Sequence, residues 1–381
     1  MIPRVIATGW LVLKITDAPF WVGAIFGIEG IMLLSCGGIG GVLAARVKRR
    51  LVLAVVHASL TVVLIVIAVL SWFEILQIWH LILFAVFTGL GRCLHIPLLN
   101  GLLHQAAGND QLVRAIGARF LTYNIGRMIG AAAVGVIIAT FGIAPAFLFL
   151  AVVRAAAAFI LTRLSSEIGR STSDVGYRLI FTDMVRQFRY TLKVPRIRSV
   201  FMMSMMMELC VFSFSAMLPI LARDVLDVGP VELGMLSAAG SIGSILCGLV
   251  ISASGTLKVK GSTAVLACVL CGICLVGYAL SRWFLLSMTI AVGFGVAAMI
   301  YDVMIFTLAQ VTVPSARRDQ SMGLLAQTFG LNPIGSTLTG ALAQLASLPA
   351  ALFLSGGIII VYSLTVLVPK RLFWDRSAIV T

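Results

Sequence analysis

The chain is 381 residues long, 60% hydrophobic and only 11% charged, with a mean hydropathy of +1.09 and a formal net charge of +14. A soluble domain is roughly 25% charged, so this composition excludes an ordinary water-soluble globule. The excess of Lys and Arg does not point to nucleic acid, because the cations lie in short hinges between apolar runs rather than on one polar face. Hydrophobic runs recur from end to end, which excludes a single removable leader as their source.

In chain order, the first apolar run, Val5 to Leu13, is shorter than the ~20 helical residues a bilayer core requires. It is expected to be a partial first helix or an interfacial piece. Lys14 to Asp17 forms a turn, with Pro19 near the start of the next helix. Spans are then predicted at about 20–44, 51–70, 75–103, 116–139, 143–162, 199–221, 232–253, 261–281, 284–311, 319–343 and 347–368. Gly41 to Arg50, GVLAARVKRR, is a tight basic hinge between the first two of these. If it is cytoplasmic, 21 of the 28 Lys and Arg fall on the same side, and the opposite loops hold only Lys14, Arg223 and Arg282. That bias over short loops predicts the orientation. The long segment from Ser165 to Arg198 is polar and basic, and YRLIFTDMVRQFRYTLK within it reads as an amphipathic helix facing anionic headgroups.

That segment divides the chain into an N-terminal bundle (1–163), a linker (164–198), a C-terminal bundle (199–370) and a tail (371–381). The bundles repeat each other. Ile129-Gly130 through Gly135 aligns with Ile334-Gly335 through Gly340, and Gly89-Leu-Gly91 with Gly293-Phe-Gly295. Duplicated six-helix halves are a transporter architecture. The fold class is therefore an all-α integral membrane protein.

Several motifs resemble the major facilitator superfamily. Its hinge motif G-x-x-x-D-R-x-G-R-R is matched here at Gly41, Arg46, Arg49 and Arg50, while Ala45 and Lys48 stand at its acidic and second glycine positions. Gly126-Arg-Met-Ile-Gly130-Ala131 with Gly135 resembles the superfamily's exporter motif, with Ala131 in place of proline. Pro333-Ile-Gly335 and the LAQVTVPSARRDQSMGLL run before it resemble the branch that holds the enterobactin exporter and macrolide and other drug efflux proteins. The resemblance implies two pseudo-symmetric six-helix bundles, the first helix being incomplete here. It also implies a gating loop at Gly41, Arg46, Arg49 and Arg50, and alternating access in a bacterial inner membrane.

Ionisable residues within membrane spans cost about 2.5–3.5 kcal/mol each and are seldom placed without a use or a partner. Glu29, Glu208 and Asp302 are the proton-coupling candidates. Glu29 reads equally as a structural partner for an arginine, and Arg92 and Arg127 are the expected cations for Glu29 and Asp302. Candidate cavity residues are Arg92 and His95, three apart and so on one helix face, together with Asn100, Tyr123, Asn124, Arg127, Gln327 and Asn332. Arg154 is read as a packing charge. The seven cysteines lie in apolar runs, and Cys268-x-x-Cys271-x-x-Cys274 is best read as small packing residues. No Walker A run, HExxH or serine elbow occurs in the sequence, and no cofactor or metal is expected. The expected partners are a small amphipathic substrate (a drug, macrolide or siderophore), protons and lipids, with the chain acting as a monomer. The functional expectation is a proton-coupled secondary exporter and not an enzyme, the alternative being a non-transporting receptor or scaffold of the same fold.

Overall fold

In lipid a backbone must satisfy its own polar groups, and a helix does so within a single segment. The computed structural model describes residues 2–46, 48–163, 193–254, 261–312, 325 and 328–367, all in helices or short turns; at 36–46, 96–97, 100–101, 104–117, 196, 254, 310–311 and 366–367 only the backbone is described. The linker helix expected within 165–198 and the expected tail fall largely or wholly outside these residues.

The first half contains α1 (Ile2–Thr16), α2 (Pro19–Arg46), α3 (Arg49–Trp72), α4 (Ile78–Phe141) and α5 (Ile143–Arg163). The second contains α6 (Pro195–Met206, continued by irregular turns to Val225), α7 (Pro230–Ser254), α8 (Gly261–Leu280), α9 (Phe284–Thr312), α10 (Leu331–Leu345) and α11 (Leu348–Tyr362, continued to Leu367). Nine described stretches are long and apolar enough to cross a bilayer. Prolines open α2, α7 and α6, where Pro195 occupies a first-turn position that needs no N–H partner. Asp17 (φ 47°), Glu74 (φ 57°) and Asp227 (φ 52°) make the left-handed turns at one end of the bundle. The hinge before Arg49 marks the other, basic end.

Two expectations change. Helical backbone runs unbroken through α4, where two spans and a connecting loop are predicted from sequence. It cannot be straight. Arg92 is bound to Glu29, which also binds Arg4, while Gly130 presses on Pro3; a straight helix would hold Arg92 and Gly130 roughly 57 Å apart. The chain therefore turns back between them, and α4 supplies two antiparallel limbs. The second change is in α6, which is α-helical only to Met206. It continues as a π turn (Met207–Val211), a 3-10 turn (Phe212–Ala216), a short α turn (Leu218–Ile220) and a second π turn (Leu221–Val225).

Within the halves α3 packs on α5, α2 on α4, α7 on α9, and α8 on α9 and α11; between them α2 packs on α10 and α4 on α7. One continuous apolar core joins both halves, with a small satellite of Leu53, Leu98 and Leu102 toward the basic end. α1 is only 15 residues long and is buried over most of its length, from Ile2 to Gly9 and from Leu11 to Leu13.

Candidate functional site

Close approach of α2 to the first limb of α4 builds the first cluster. A Cβ on Gly89 would lie 2.8 Å from the Glu29 carbonyl oxygen and 2.7 Å from Met32 Cβ, so only glycine permits this crossing. Arg92, one turn further along, is thereby placed on Glu29. Its guanidinium donates to Glu29 Oε1 at 3.0 Å, while Arg4 donates to Oε1 at 2.8 Å and Oε2 at 2.7 Å. Glu29 is 1% exposed. Its cations are Arg92, one of the two expected, and Arg4, while Arg127 makes no ion pair with Glu29. Arg4 escapes sequence reading because it stands in the short first run, where it passes for a flanking charge rather than an intramembrane one.

A cavity of about 40 Å³ adjoins this cluster, lined by Glu29, Arg92 and Phe26 from the first half and Ser215, Asn332 and Ser336 from the second, among others. Its wall is mostly apolar, with Glu29, Arg92, Ser215, Asn332 and Ser336 as polar groups, and it is large enough to hold a water. Asn332, a candidate from sequence, borders this water-sized cavity; Ser215 and Ser336 carry no signal in sequence that separates them from packing serines.

Glu208 lies buried inside the first π turn of α6. π turns leave backbone groups to be satisfied from outside the segment. α10 packs along this stretch: Gly335 presses directly on the Leu209 carbonyl of the π turn, and Ser336 Oγ donates to the Ser213 carbonyl of the 3-10 turn that follows at 3.2 Å. Ser204 and Thr328 share a hydroxyl contact of 2.6 Å just before the irregular stretch. Asp302, on α9, is half-buried and lies within electrostatic reach of both Glu208 and Arg127. No ion pair to Glu208 or Asp302 occurs among the described residues.

On the second limb of α4, the Arg127 guanidinium stands 5.8 Å from the Tyr123 ring centroid, and its buried Nε has no partner. Asn124 is buried and returns its amide to the Phe120 carbonyl at 3.0 Å, so it packs rather than lines a cavity. His95 parts company with Arg92. It meets His57, ring centroids 5.2 Å apart, and His57 Nδ1 lies 3.4 Å from Arg154. His57 is unforeseen from sequence, and Arg154 is more than a packing charge. The side chains of Asn100, Gln327, Gly41 and Arg46 lie outside the described set; Arg49 and Arg50 open α3.

At the turn end the halves close on each other through paired glycines. Gly135 of α4 presses on the Pro230 carbonyl and on Gly234 of α7, and Gly340 of α10 sits against the Pro19 carbonyl and Gly23 of α2. Gly27 and Gly30 continue the second seam against Thr337 and Pro333, and Gly9 of α1 meets Pro219. An ion pair covers the seam: Arg223 binds Asp17 at 2.8 Å and the Leu13 carbonyl at 3.2 Å, with Asp224 gripping the same guanidinium. The Asp224 hydrogen bond, with the charges of Asp224 and Asp17, pushes the Arg223 pKa up. Toward the basic end the picture reverses. A Cβ on Gly126 would meet nothing within 4 Å, and Tyr123 and Ile125 are exposed.

A bundle of two interlocked halves with charged groups where they meet has close counterparts. The model of the transmembrane secretion effector family matches residues 1–377. The chain belongs to this family of the major facilitator superfamily. Among curated proteins it is similar to the Staphyloferrin A transporter of Staphylococcus aureus (strain NCTC 8325 / PS 47), 22% identical over 247 residues; the match spans 65% of this chain and 62% of that relative's length. Among solved structures it resembles a mutant of the nucleoside transporter NupG (TM-score 0.80, 12% identity, 95% of this chain and 94% of that one). It is also similar to a POT family transporter in complex with 5-aminolevulinic acid (TM-score 0.75, 12% identity, 96% and 93%). A bacterial homolog of the human lysosomal transporter Spinster in an inward-facing, unoccupied conformation follows (TM-score 0.73, 12% identity, 98% and 96%). At such identities these structures establish the fold alone, that of the major facilitator type, and the chain is a multi-pass membrane protein.

Proposed function

We propose that this family member is a proton-coupled exporter, carrying a small amphipathic molecule across a bacterial inner membrane by alternating access. One observation carries the reading: the described halves are locked at the turn end by glycine seams and an ion pair, while α4 stands free around Gly126 toward the basic end. With the basic end cytoplasmic, this is an inward-open state. Its interior is lined by the groups a transport cycle needs.

The proton role falls to Glu208 and Asp302. Each sits in the second half with no basic residue bound to it among the described side chains, so each is free to exchange a proton as access alternates. Glu29 is held by two arginines at once and suits a permanent structural role. The family's description as secretion effectors supports outward transport, and the relative named for Staphyloferrin A transport supports a discrete small molecule as cargo.

The test is proton movement itself. Everted membrane vesicles carrying the protein are energised, and a pH-sensitive acridine dye reports proton release as amphiphiles from a drug, macrolide and siderophore panel are added. Wild type should dissipate the gradient with a subset of the panel; Glu208→Gln and Asp302→Asn, at matched abundance, should not. Retained substrate-dependent dissipation in both variants would reject the assignment, and no response to any compound in wild type would reject proton-coupled export.

A further inference from the structure

One face of the second limb of α4 records where the bundle opens. Tyr123, Arg127, Ala131, Val134 and Ile138 recur at helical spacing and so share a face. At its far end that face is closed: Ala131 and Val134 are 0% exposed and Ile138 is 6%. One turn before Arg127 it is open, with Tyr123 46% exposed. Glycines mark the same boundary. A Cβ on Gly130 would lie 2.6 Å from Pro3 of α1, whereas one on Gly126 would meet nothing within 4 Å. Beyond Gly130 the Ala131 carbonyl faces Gly234 of α7. Arg127 therefore stands at the closed end of a space that opens toward the basic end.

Its charge is unanswered there. The Arg127 guanidinium lies 5.8 Å from the Tyr123 ring centroid, and its Nε is buried without an acceptor. No hydrogen bond or ion pair to this side chain, from Asp302 or any other acid, occurs among the described residues. By contrast, Glu29 holds Arg4 and Arg92, and Arg154 meets His57. An intramembrane guanidinium is costly and is kept where it is paired or used. Its planar fork of donors matches the two oxygens of a carboxylate. An anion reaching this closed end would satisfy a buried donor that a neutral ligand of the same shape leaves orphaned. Tyr123, on the approach, offers a ring for the body that carries the charge. We infer that the cargo is an amphipathic organic anion, its carboxylate bound by the Arg127 guanidinium and its apolar body laid on the Tyr123 ring. This rests on the transport reading above and names the charge class of the cargo.

The experiment uses two probes of one shape, dansyl-phenylalanine (a carboxylate) and dansyl-phenylalaninamide (neutral), with purified full-length protein in detergent. Dansyl emission excited through the protein's tryptophans reports bound probe, and protein-free micelles supply the blank. The carboxylate is expected to bind about 10-fold more tightly than the amide. Arg127→Gln should abolish that preference by weakening the carboxylate alone, its unchanged affinity for the amide showing an intact fold. Arg127→Met is the second neutral variant should Arg127→Gln not elute as a single peak. Arg127→Lys should keep part of the preference, and Tyr123→Ala should weaken both probes alike. Equal affinities in wild type, tighter binding of the amide, or no saturable binding of either probe overturns the inference. So does a preference that survives loss of the Arg127 charge, which places the anion elsewhere. An equal fall for both probes in the neutral variants, or unchanged affinities in Tyr123→Ala, overturns it as well, since these side chains would then only support the fold. Substrate-dependent proton movement in vesicles is read without these probes, so the transport reading stands or falls separately.

Discussion

Gly135 and Gly340 do the same work on opposite sides of the molecule. Each sits against the first residue of a partner helix, Pro230 or Pro19, and against a glycine four residues further on, Gly234 or Gly23. Ala131 and Ser336, one turn before, complete the symmetry, their carbonyls facing Gly234 and Gly23. These seams must close for one state of the cycle and part for the other. Gly135→Leu and Gly340→Leu place a branched side chain where backbone now lies, so the turn end should no longer seal. Single cysteines introduced at Asp227 and Ser281 should then react more quickly with a membrane-impermeant maleimide in both variants. Unchanged labelling together with unchanged transport would show that these seams do not gate access.

Glu29 is the keystone charge of the first half. Removing one partner of a buried ionic cluster costs about 3–5 kcal/mol, because the remaining charge is left uncompensated. Glu29→Gln strands two arginines and should lower the thermal melting point most. Arg92→Gln should cost least, since Arg4 retains both carboxylate oxygens, and Arg4→Gln should fall between. Thermal unfolding of the detergent-purified variants checks this order. A Glu29→Gln protein of normal stability that has lost proton-driven transport would instead place Glu29 among the coupling residues.

The Arg223–Asp17 bridge lies at the exposed turns, where an ion pair is worth about 0–1 kcal/mol. That is too little to matter for folding but enough to bias an equilibrium between two nearly matched states. Asp17→Asn should leave the melting point nearly unchanged and shift the population toward opening at the turn end by up to about fivefold. The charge reversal pair Asp17→Arg with Arg223→Asp should restore much of the wild-type distribution. Maleimide labelling kinetics at the turn end measure both. No recovery in the double variant would mean that the pair does not act as a clasp.

Orientation has its own test. A cysteine placed at Arg170, in the basic segment between the halves, should be shielded from impermeant reagent in intact cells and become reactive once the membrane is permeabilised. Efficient labelling from outside would invert the topology.

Much of the architecture is legible in the sequence because lipid imposes strong rules: apolar runs of fixed length, basic hinges on one side, and glycines where helices touch. The repeat is legible too, but its register is not. Sequence pairs Gly89 with Gly293, whereas packing pairs Gly89 with Gly295, because what is preserved is contact with the neighbouring helix rather than spacing along one's own. The acids Glu29, Glu208 and Asp302 stand out by their cost in lipid. Arg4, a partner of Glu29, does not, nor do Ser336 and His57, because each is brought to its contacts by a helix distant in sequence. The irregular course of α6 is hidden as well: Met207 to Val211 reads as ordinary apolar helix, and the widening of its backbone is visible only in the structure, where Gly335 of α10 lies against the Leu209 carbonyl.

That widening bears on how the chain can change its length. A π turn holds one residue more than the α-helix it interrupts, so the stretch from Met207 to Val211 behaves as a stored insertion. Removing a single residue there lets the backbone relax to a regular α-helix, while Pro219 stays against Gly9 further along and the segment before Met206 keeps its seating. The same deletion elsewhere in a span would rotate everything beyond it by about 100°. The π turn that carries Glu208 is therefore a place where the length of the chain can vary without unseating the closure at the turn end, and the residue moved by such a change is the acid itself.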